Sequence, residues 1–131
     1  MNKRLILQLS LFGLGMSIAT VFWIPSNIEP ACWLVIFIIC AYFIAVYCPG
    51  KYFLHGFLVS LVNCVWITAA HIIFYPIYIA NHASEAAMMT NMPMPDHPRL
   101  MMLMMGPVVG VVSGLLLGLL AFLAARIMSK K

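Results

Sequence analysis

Charged residues are scarce in this sequence. Lys, Arg, Asp and Glu together make up 8% of the 131 residues, whereas hydrophobic residues make up 65%. Soluble globular domains are about 25% charged, so this composition excludes an ordinary soluble domain and indicates a chain dissolved in a lipid bilayer. The seven basic residues form no basic patch of the kind that binds nucleic acid. We therefore expect the lipid bilayer, and no nucleic acid, as a partner.

Several catalytic motifs are also missing. The sequence contains no HExxH motif, no Ser-centred nucleophile motif and no CxxC pair, and its three acidic residues lie outside the long apolar runs. The four cysteines are spread over different predicted membrane depths, which disfavours a disulfide framework. We interpret them as small apolar side chains; they are Cys32, Cys40, Cys48 and Cys64.

Four apolar runs are long enough to cross a bilayer as helices, which takes about 20 residues each. They lie at 5–24, 31–48, 52–80 and 100–125, and their length favours helices over barrel strands. The first span ends in Phe22 and Trp23 rather than in small residues, so we expect it to be retained rather than cleaved as a signal peptide. The sequence predicts one all-α domain over 1–131, a four-helix transmembrane bundle.

The basic residues predict that both termini are cytoplasmic. With that orientation one basic residue, Arg99, lies outside together with Glu29, Glu85 and Asp96. The other six lie inside, as the positive-inside rule requires; they are Lys3, Arg4, Lys51, Arg126, Lys130 and Lys131. This topology fits a bacterial plasma membrane, and it places residues 81–99 in an outer loop.

The third and fourth spans are longer than a bilayer requires. The third span covers roughly 29 residues, which corresponds to about 43 Å of helix, and the fourth is similar when counted from His97. Pro76 removes the hydrogen bond to the carbonyl of Ile72 and favours a kink, and Pro107 is predicted at a similar depth. We expect these two helices to project outward as a long hairpin. The second span is apolar nearly all round and is expected to face lipid or to seal the bundle.

A polar stripe follows one face of the third span and its exit. On a helix of about 100° per residue, the stripe residues fall within roughly an 80° arc around His71 or just outside it. They are Ser60, Asn63, Cys64, Thr68, His71, Tyr75, Tyr78 and His82. Polar groups inside a membrane face the bundle interior or a watered cavity and often mark sites. This polar seam, which opens outward, is either a ligand, ion or proton site or a set of interhelical hydrogen bonds.

A glycine ladder runs along the fourth span at a spacing of four residues. Such small residues let another backbone approach closely; the ladder and its neighbour are Gly106, Gly110, Ser113, Gly114 and Gly118. Two partners remain open at this point. The ladder packs against the first or third helix of the same chain, or it joins a homo-oligomer or another membrane protein.

Methionine is concentrated in one segment, since eight of the eleven methionines lie between 88 and 105. Thioether sulfur suits Cu(I), and imidazole suits copper and zinc. The candidate metal ligands are His82, Met88, Met89, Met92, Met94, His97, Met101 and Met102. The alternative is that methionine fills an irregular interface as a flexible hydrophobic side chain.

These features lead to three functional hypotheses. The first is a non-enzymatic membrane protein that self-associates or binds a membrane partner through the glycine ladder and carries the outward-opening polar seam. The second is a membrane protein that handles copper through the methionine and histidine residues of the outer loop. The third is a metal-dependent membrane enzyme with His71, His82, His97 and Asp96 around Zn²⁺.

Overall fold

The computed structural model describes residues 1–129, which form six helices and contain no strand. Four of the helices are long and apolar enough to cross a membrane, so the all-α prediction is confirmed. The helices are α1 (Lys3–Phe22), α2 (Glu29–Tyr47), α3 (Tyr52–Ile73), α4 (Tyr75–Asn81), α5 (Ala83–Thr90) and α6 (Pro98–Ser129).

Helix α3 lies between α1 and α6, and α2 packs mainly against α6. Successive long helices run antiparallel, as the facing residues of α3 and α6 show, and most of the basic residues therefore lie at one end of the fold. We call the end that carries Lys3, Arg4, Lys51 and Arg126 the basic end. The opposite end, which carries Glu29 and Glu85, is the acidic end, and there Ser26 Oγ donates a hydrogen bond of 2.8 Å to Glu85 Oε2.

The apolar core occupies the half of the fold nearer to the basic end. Four of its side chains come from three helices and have 0% exposure: Ile44, Val59, Leu117 and Ala121. His55 is also buried in this half, although the sequence places it on the far side of α3 from the polar seam. Its Nε2 accepts from the backbone N–H of Asn2 at 3.0 Å, and its Nδ1 donates to the carbonyl of Lys51 at 2.9 Å. This histidine therefore fixes the start of α1 against the start of α3.

The glycine ladder packs against α3 of the same chain. Gly106 faces Thr68, Gly110 faces Cys64, and further along the two helices Gly114 and Gly118 face Phe57 and Phe53. A Cβ at Gly118 would lie 2.8 Å from the backbone oxygen of Phe53, so a larger residue would push the two backbones apart. This face of α6 is therefore occupied by α3 of the same chain.

The third predicted span, 52–80, is not one continuous helix. Helix α3 ends at Ile73 and α4 begins at Tyr75, with Pro76 in its first turn. Pro76 has no N–H to offer the carbonyl of Ile72, and Arg99 Nε donates to this carbonyl instead, at 3.2 Å. The guanidinium of Arg99 also lies 5.4 Å from the centroid of the Tyr75 ring. A basic residue on the acidic side thus compensates for the helix break.

The predicted outer loop 81–99 contains a helix of its own, α5, and α6 begins at Pro98. Asn81 Nδ2 donates to the carbonyl of Val21 at 2.8 Å, which ties α4 to the end of α1. Unlike α3 at Pro76, α6 continues through Pro107 to Ser129. The two long helices therefore respond differently to their prolines, and the break is confined to one of them.

We predict that Gly56→Ala destabilises the fold and that Gly15→Ala does not. A Cβ at Gly56 would lie 2.7 Å from the carbonyl oxygen of Leu117 and 2.8 Å from Gly118 Cα, whereas a Cβ at Gly15 meets nothing within 4 Å. Overpacking against a backbone costs about 1–3 kcal/mol. Thermal unfolding in detergent should show a lower midpoint for Gly56→Ala alone. Equal midpoints for the two variants would contradict the close α3–α6 contact.

We also predict that Arg99 and Pro76 are energetically coupled. Arg99→Met should cost about 0.5–1.5 kcal/mol in the unchanged protein, because it removes the donor to the Ile72 carbonyl. In a Pro76→Ala background the cost should shrink, since residue 76 then supplies its own N–H. A double-mutant cycle measures the coupling, with Arg126→Met, an arginine that lies over Phe122, as the control. Additive effects of Arg99→Met and Pro76→Ala would contradict the compensation.

Candidate functional site

A cavity of about 680 Å³ lies between α2, α3 and α6 in the half of the fold nearer to the acidic end. The α6 residues that line it extend from Met102 to Leu116, which corresponds to about 21 Å along the helix. The lining on α3 extends from Ser60 to His71, or about 16 Å. The cavity is therefore elongated, parallel to the long helices.

The cavity forms where small side chains of α6 meet large side chains of α2. Gly106, Gly110 and Ser113 line one wall, and Trp33 and Phe37 line another. The glycines bring α6 close to α3 but fill no space beside it. Nearer to the basic end, the packed core closes the space between the same helices.

Six of the eight residues predicted as the polar seam line this cavity: Ser60, Asn63, Cys64, Thr68, His71 and Tyr78. The other two do not. Tyr75 lies beneath the guanidinium of Arg99, and His82 is fully buried beside Tyr78. All the seam residues before the break at Phe74 therefore line the cavity, whereas only Tyr78 of the three beyond it does.

Three aromatic rings stack at the acidic end of the cavity. The ring centroids of His71 and Tyr78 are 4.1 Å apart, and those of Tyr78 and His82 are 4.3 Å apart. His82 Nδ1 donates to the carbonyl of Tyr78 at 2.9 Å. The Nε2 atoms of both histidines are buried, and neither has a hydrogen-bond partner among residues 1–129. The stack thus carries two polar atoms with unused hydrogen-bonding capacity.

Asn63 carries a second unsatisfied group, because neither polar atom of its amide has a partner among the described residues. The residue lines the cavity and also packs against α1, where a Cβ at Gly13 would lie 2.8 Å from the Cβ of Asn63. Leaving a buried polar group unpaired costs about 1–3 kcal/mol. The amide carbon and oxygen of Asn63 lie closer to that Cβ position at Gly13 than the Cβ of Asn63 does, so the unpaired amide faces α1 rather than the cavity.

Two residues in the middle of the polar seam, Cys64 and Thr68, contact partners within the protein. The thiol of Cys64 donates to the carbonyl of Gly106, and Thr68 Oγ1 lies 3.8 Å from the sulfur. The bond to Gly106 joins α3 to α6 at the level of the glycine ladder, whereas the contact with Thr68 lies within α3. Cys64 therefore matches the interpretation as an interhelical hydrogen bond, while Asn63 and His71 retain polar atoms without a partner among the described residues.

From the sequence, α2 was expected to face lipid or to seal the bundle, and its contribution to the cavity wall was not predicted. Instead, Glu29, Trp33 and Phe37 line the cavity at a spacing of four residues. Trp33 Nε1 donates to Glu29 Oε1 at 3.3 Å, which holds the carboxylate beside the indole. A carboxylate four residues before a tryptophan at a helix start is the one signal that could have drawn attention to this wall.

The acidic end of the cavity carries one carboxylate. Glu29 is the only Asp, Glu, Lys or Arg among the described residues that line the cavity, and Glu85 and His82 lie at the same end of the fold. Burial alone would raise the pKa of Glu85, but hydrogen bonds from Ser84 and Ser26 outweigh burial and hold this pKa below its usual value. Glu85 therefore carries its negative charge at neutral pH.

Only two of the eight predicted metal ligands line the cavity. Met89 and Met102 line the cavity, and Met105, which was not among the predicted ligands, lines it as well. The remaining predicted ligands lie outside the cavity lining: His82, Met88, Met92, Met94, His97 and Met101. Within residues 1–129, no group of three or more His, Cys, Asp or Glu residues could hold a metal ion.

No family model, curated protein or solved structure matches this chain.

Proposed function

We propose that this chain is a non-enzymatic integral membrane protein that binds an elongated, mostly apolar small molecule in the cavity between α2, α3 and α6. The observation that supports this proposal is the cavity itself. Its volume of about 680 Å³ falls within the range of about 300–1,000 Å³ that is typical of small-molecule sites. Its walls are mainly apolar and offer a few polar groups that could orient a ligand, as such sites usually do.

We further propose that the four long helices form a transmembrane bundle with both termini in the cytoplasm. Lys3, Arg4, Lys51 and Arg126 lie at the basic end, and the positive-inside rule assigns that end to the cytoplasm. The terminal Lys130 and Lys131 are outside the described residues. In a bacterial plasma membrane the acidic end, with α4, α5 and the projecting start of α6, would then lie outside, and the cavity would open outward.

We do not assign the glycine ladder as a binding surface for another chain. The ladder face of α6 contacts α3, and each of its four glycines lies against an α3 side chain or backbone atom. A homo-oligomer or a membrane partner would have to use one of the other apolar faces. Those faces are suited to lipid, and we assign them to the bilayer.

Photolabelling with an uncharged phenyl diazirine in nanodiscs tests the cavity. We expect saturable labelling of cavity residues, and we expect Ser113→Phe to weaken it by at least about tenfold, because an extra ring in an occupied space costs about 1–3 kcal/mol. Val112→Phe is the matched control, since Val112 is adjacent and 64% exposed on the outer face of α6.

Labelling that does not saturate, or that falls equally in Ser113→Phe and Val112→Phe, would contradict the binding proposal. Thermal unfolding of both variants separates a loss of binding from a loss of fold. A Ser113→Phe protein that keeps its unfolding midpoint but loses the label is the expected result.

Copper handling remains a second candidate because soft donor atoms line the same cavity. Met89, Met102 and Met105 supply thioethers, Cys64 supplies a thiol and His71 supplies an imidazole. Thioether and thiolate ligands select Cu(I). This set differs from the predicted one, which was centred on the outer loop.

Titration with Cu(I) against a chromophoric chelator tests the copper hypothesis. Binding in the cavity predicts that Met102→Leu combined with Met105→Leu lowers Cu(I) affinity by at least about tenfold, since each lost ligand removes a metal bond. Met101→Leu combined with Met104→Leu is the control, because neither residue lines the cavity. If the unmodified protein retains neither Cu(I) nor Zn²⁺, the metal hypotheses both fail.

A further inference from the structure

We infer that the ligand of this cavity is an amphipathic organic cation whose positive group is recognised by Glu29 together with Trp33. This inference rests on the proposed binding function and adds the charge and chemical class of the ligand. It follows from three observations: the sign of charge in the cavity, the environment of the Glu29 carboxylate, and the apolar length behind it.

The charge lining the cavity has one sign. Glu29 is a lining residue, and within residues 1–129 no Lys or Arg lines the cavity. Arg99 lies at the same end of the fold, but it contacts the carbonyl of Ile72 and the ring of Tyr75 and does not line the cavity. Glu85 adds a second carboxylate within electrostatic range of Glu29. An anionic ligand would meet repulsion at this end, whereas a cation would meet attraction.

The Glu29 carboxylate is incompletely satisfied by the protein. Trp33 Nε1 is the only side-chain donor to it among the described residues, at 3.3 Å on Oε1. Glu29 is half-buried, and its oxygen atoms are not among the buried atoms that lack a partner, so the carboxylate is open to a ligand. A bound cation would supply a counter-charge that no Lys or Arg of the described cavity lining provides.

The residues around the carboxylate are those that recognise organic cations. Trp33 and Phe37 line the cavity with Glu29, and aromatic faces attract ammonium groups most strongly where water is excluded. Tryptophan is the strongest of the aromatic types, and the Trp33 indole is the ring that contacts the carboxylate. A carboxylate beside an indole therefore favours an alkylated ammonium or phosphonium group over a small hydrated metal cation.

The remainder of the cavity suits the apolar body of such a ligand. Beyond Phe37 the lining includes Ile67, Val109 and Leu116, which extend toward the packed core. A ligand with its charge at Glu29 and its apolar part along α6 would match both ends of the cavity. A hydrophilic cation would leave this apolar surface unfilled.

Two ions of nearly identical shape and opposite charge provide the test: tetraphenylphosphonium and tetraphenylborate. Each is used to compete with the uncharged diazirine for the cavity in nanodiscs of zwitterionic lipid. We expect tetraphenylphosphonium to reduce labelling at a concentration at least about tenfold lower than tetraphenylborate. Glu29→Gln, which keeps the size of the side chain and removes its charge, should abolish most of this preference. Glu85→Gln should reduce it much less, because Glu85 does not line the cavity.

Equal competition by the two ions, or an undiminished preference in Glu29→Gln, would overturn the inference. If Glu29→Gln does not fold, the comparison of the two ions in the unmodified protein still decides the question. Saturable labelling without any charge preference would refute only the cationic ligand. An absence of saturable labelling would refute the binding proposal itself.

Discussion

The close approach of α3 and α6 is the contact on which the rest of the structure depends. Lipid chains are as apolar as leucine, so helices in a bilayer associate through close packing and hydrogen bonds rather than through the hydrophobic effect. The four glycines of α6 and Gly56 of α3 remove the side chains that would separate the two backbones. The same contact turns the polar face of α3 toward the small-residue face of α6. It thereby creates a wall of the cavity and brings Cys64 within reach of the Gly106 carbonyl.

The contact between α3 and α6 borders a packed core in one half of the fold and the cavity in the other half. Toward the basic end, large apolar side chains from α1 and α2 fill the space beside α3 and α6, and Leu117 has no exposure. Toward the acidic end, α2 contributes Trp33 and Phe37 across a gap that the glycines leave open. The break at Phe74 then turns α4 so that Tyr78 stacks between His71 and His82 at that end. The same pair of helices thus extends from the packed core near the basic end to the cavity near the acidic end.

Much of the fold was predictable, because length and hydropathy alone indicate four long helices. The seam was predictable in part, since a constant 100° step connects Ser60, Cys64 and His71 while the helix is continuous. It could not be extended to Tyr75 and His82, because the break resets the angular phase after Ile73. The wall on α2 had one signal in the sequence, Glu29 four residues before Trp33, because the rest of that helix is apolar on every side. Glycine spacing indicated a close approach, but nothing in the spacing specified that α3 was the partner.

The orientation and accessibility of the cavity are the centre of this account, and Cys64 reports on both. In a protein with Cys32, Cys40 and Cys48 replaced by alanine, Cys64 is the single thiol, and it lines the cavity. A small, membrane-impermeant thiol reagent is added to one side of sealed, oriented vesicles, and its reaction with Cys64 is followed by mass spectrometry. The account predicts modification from the outer side, with slower reaction when Ser113→Phe fills the cavity. Reaction only from the cytoplasmic side, or none from either side, would contradict it.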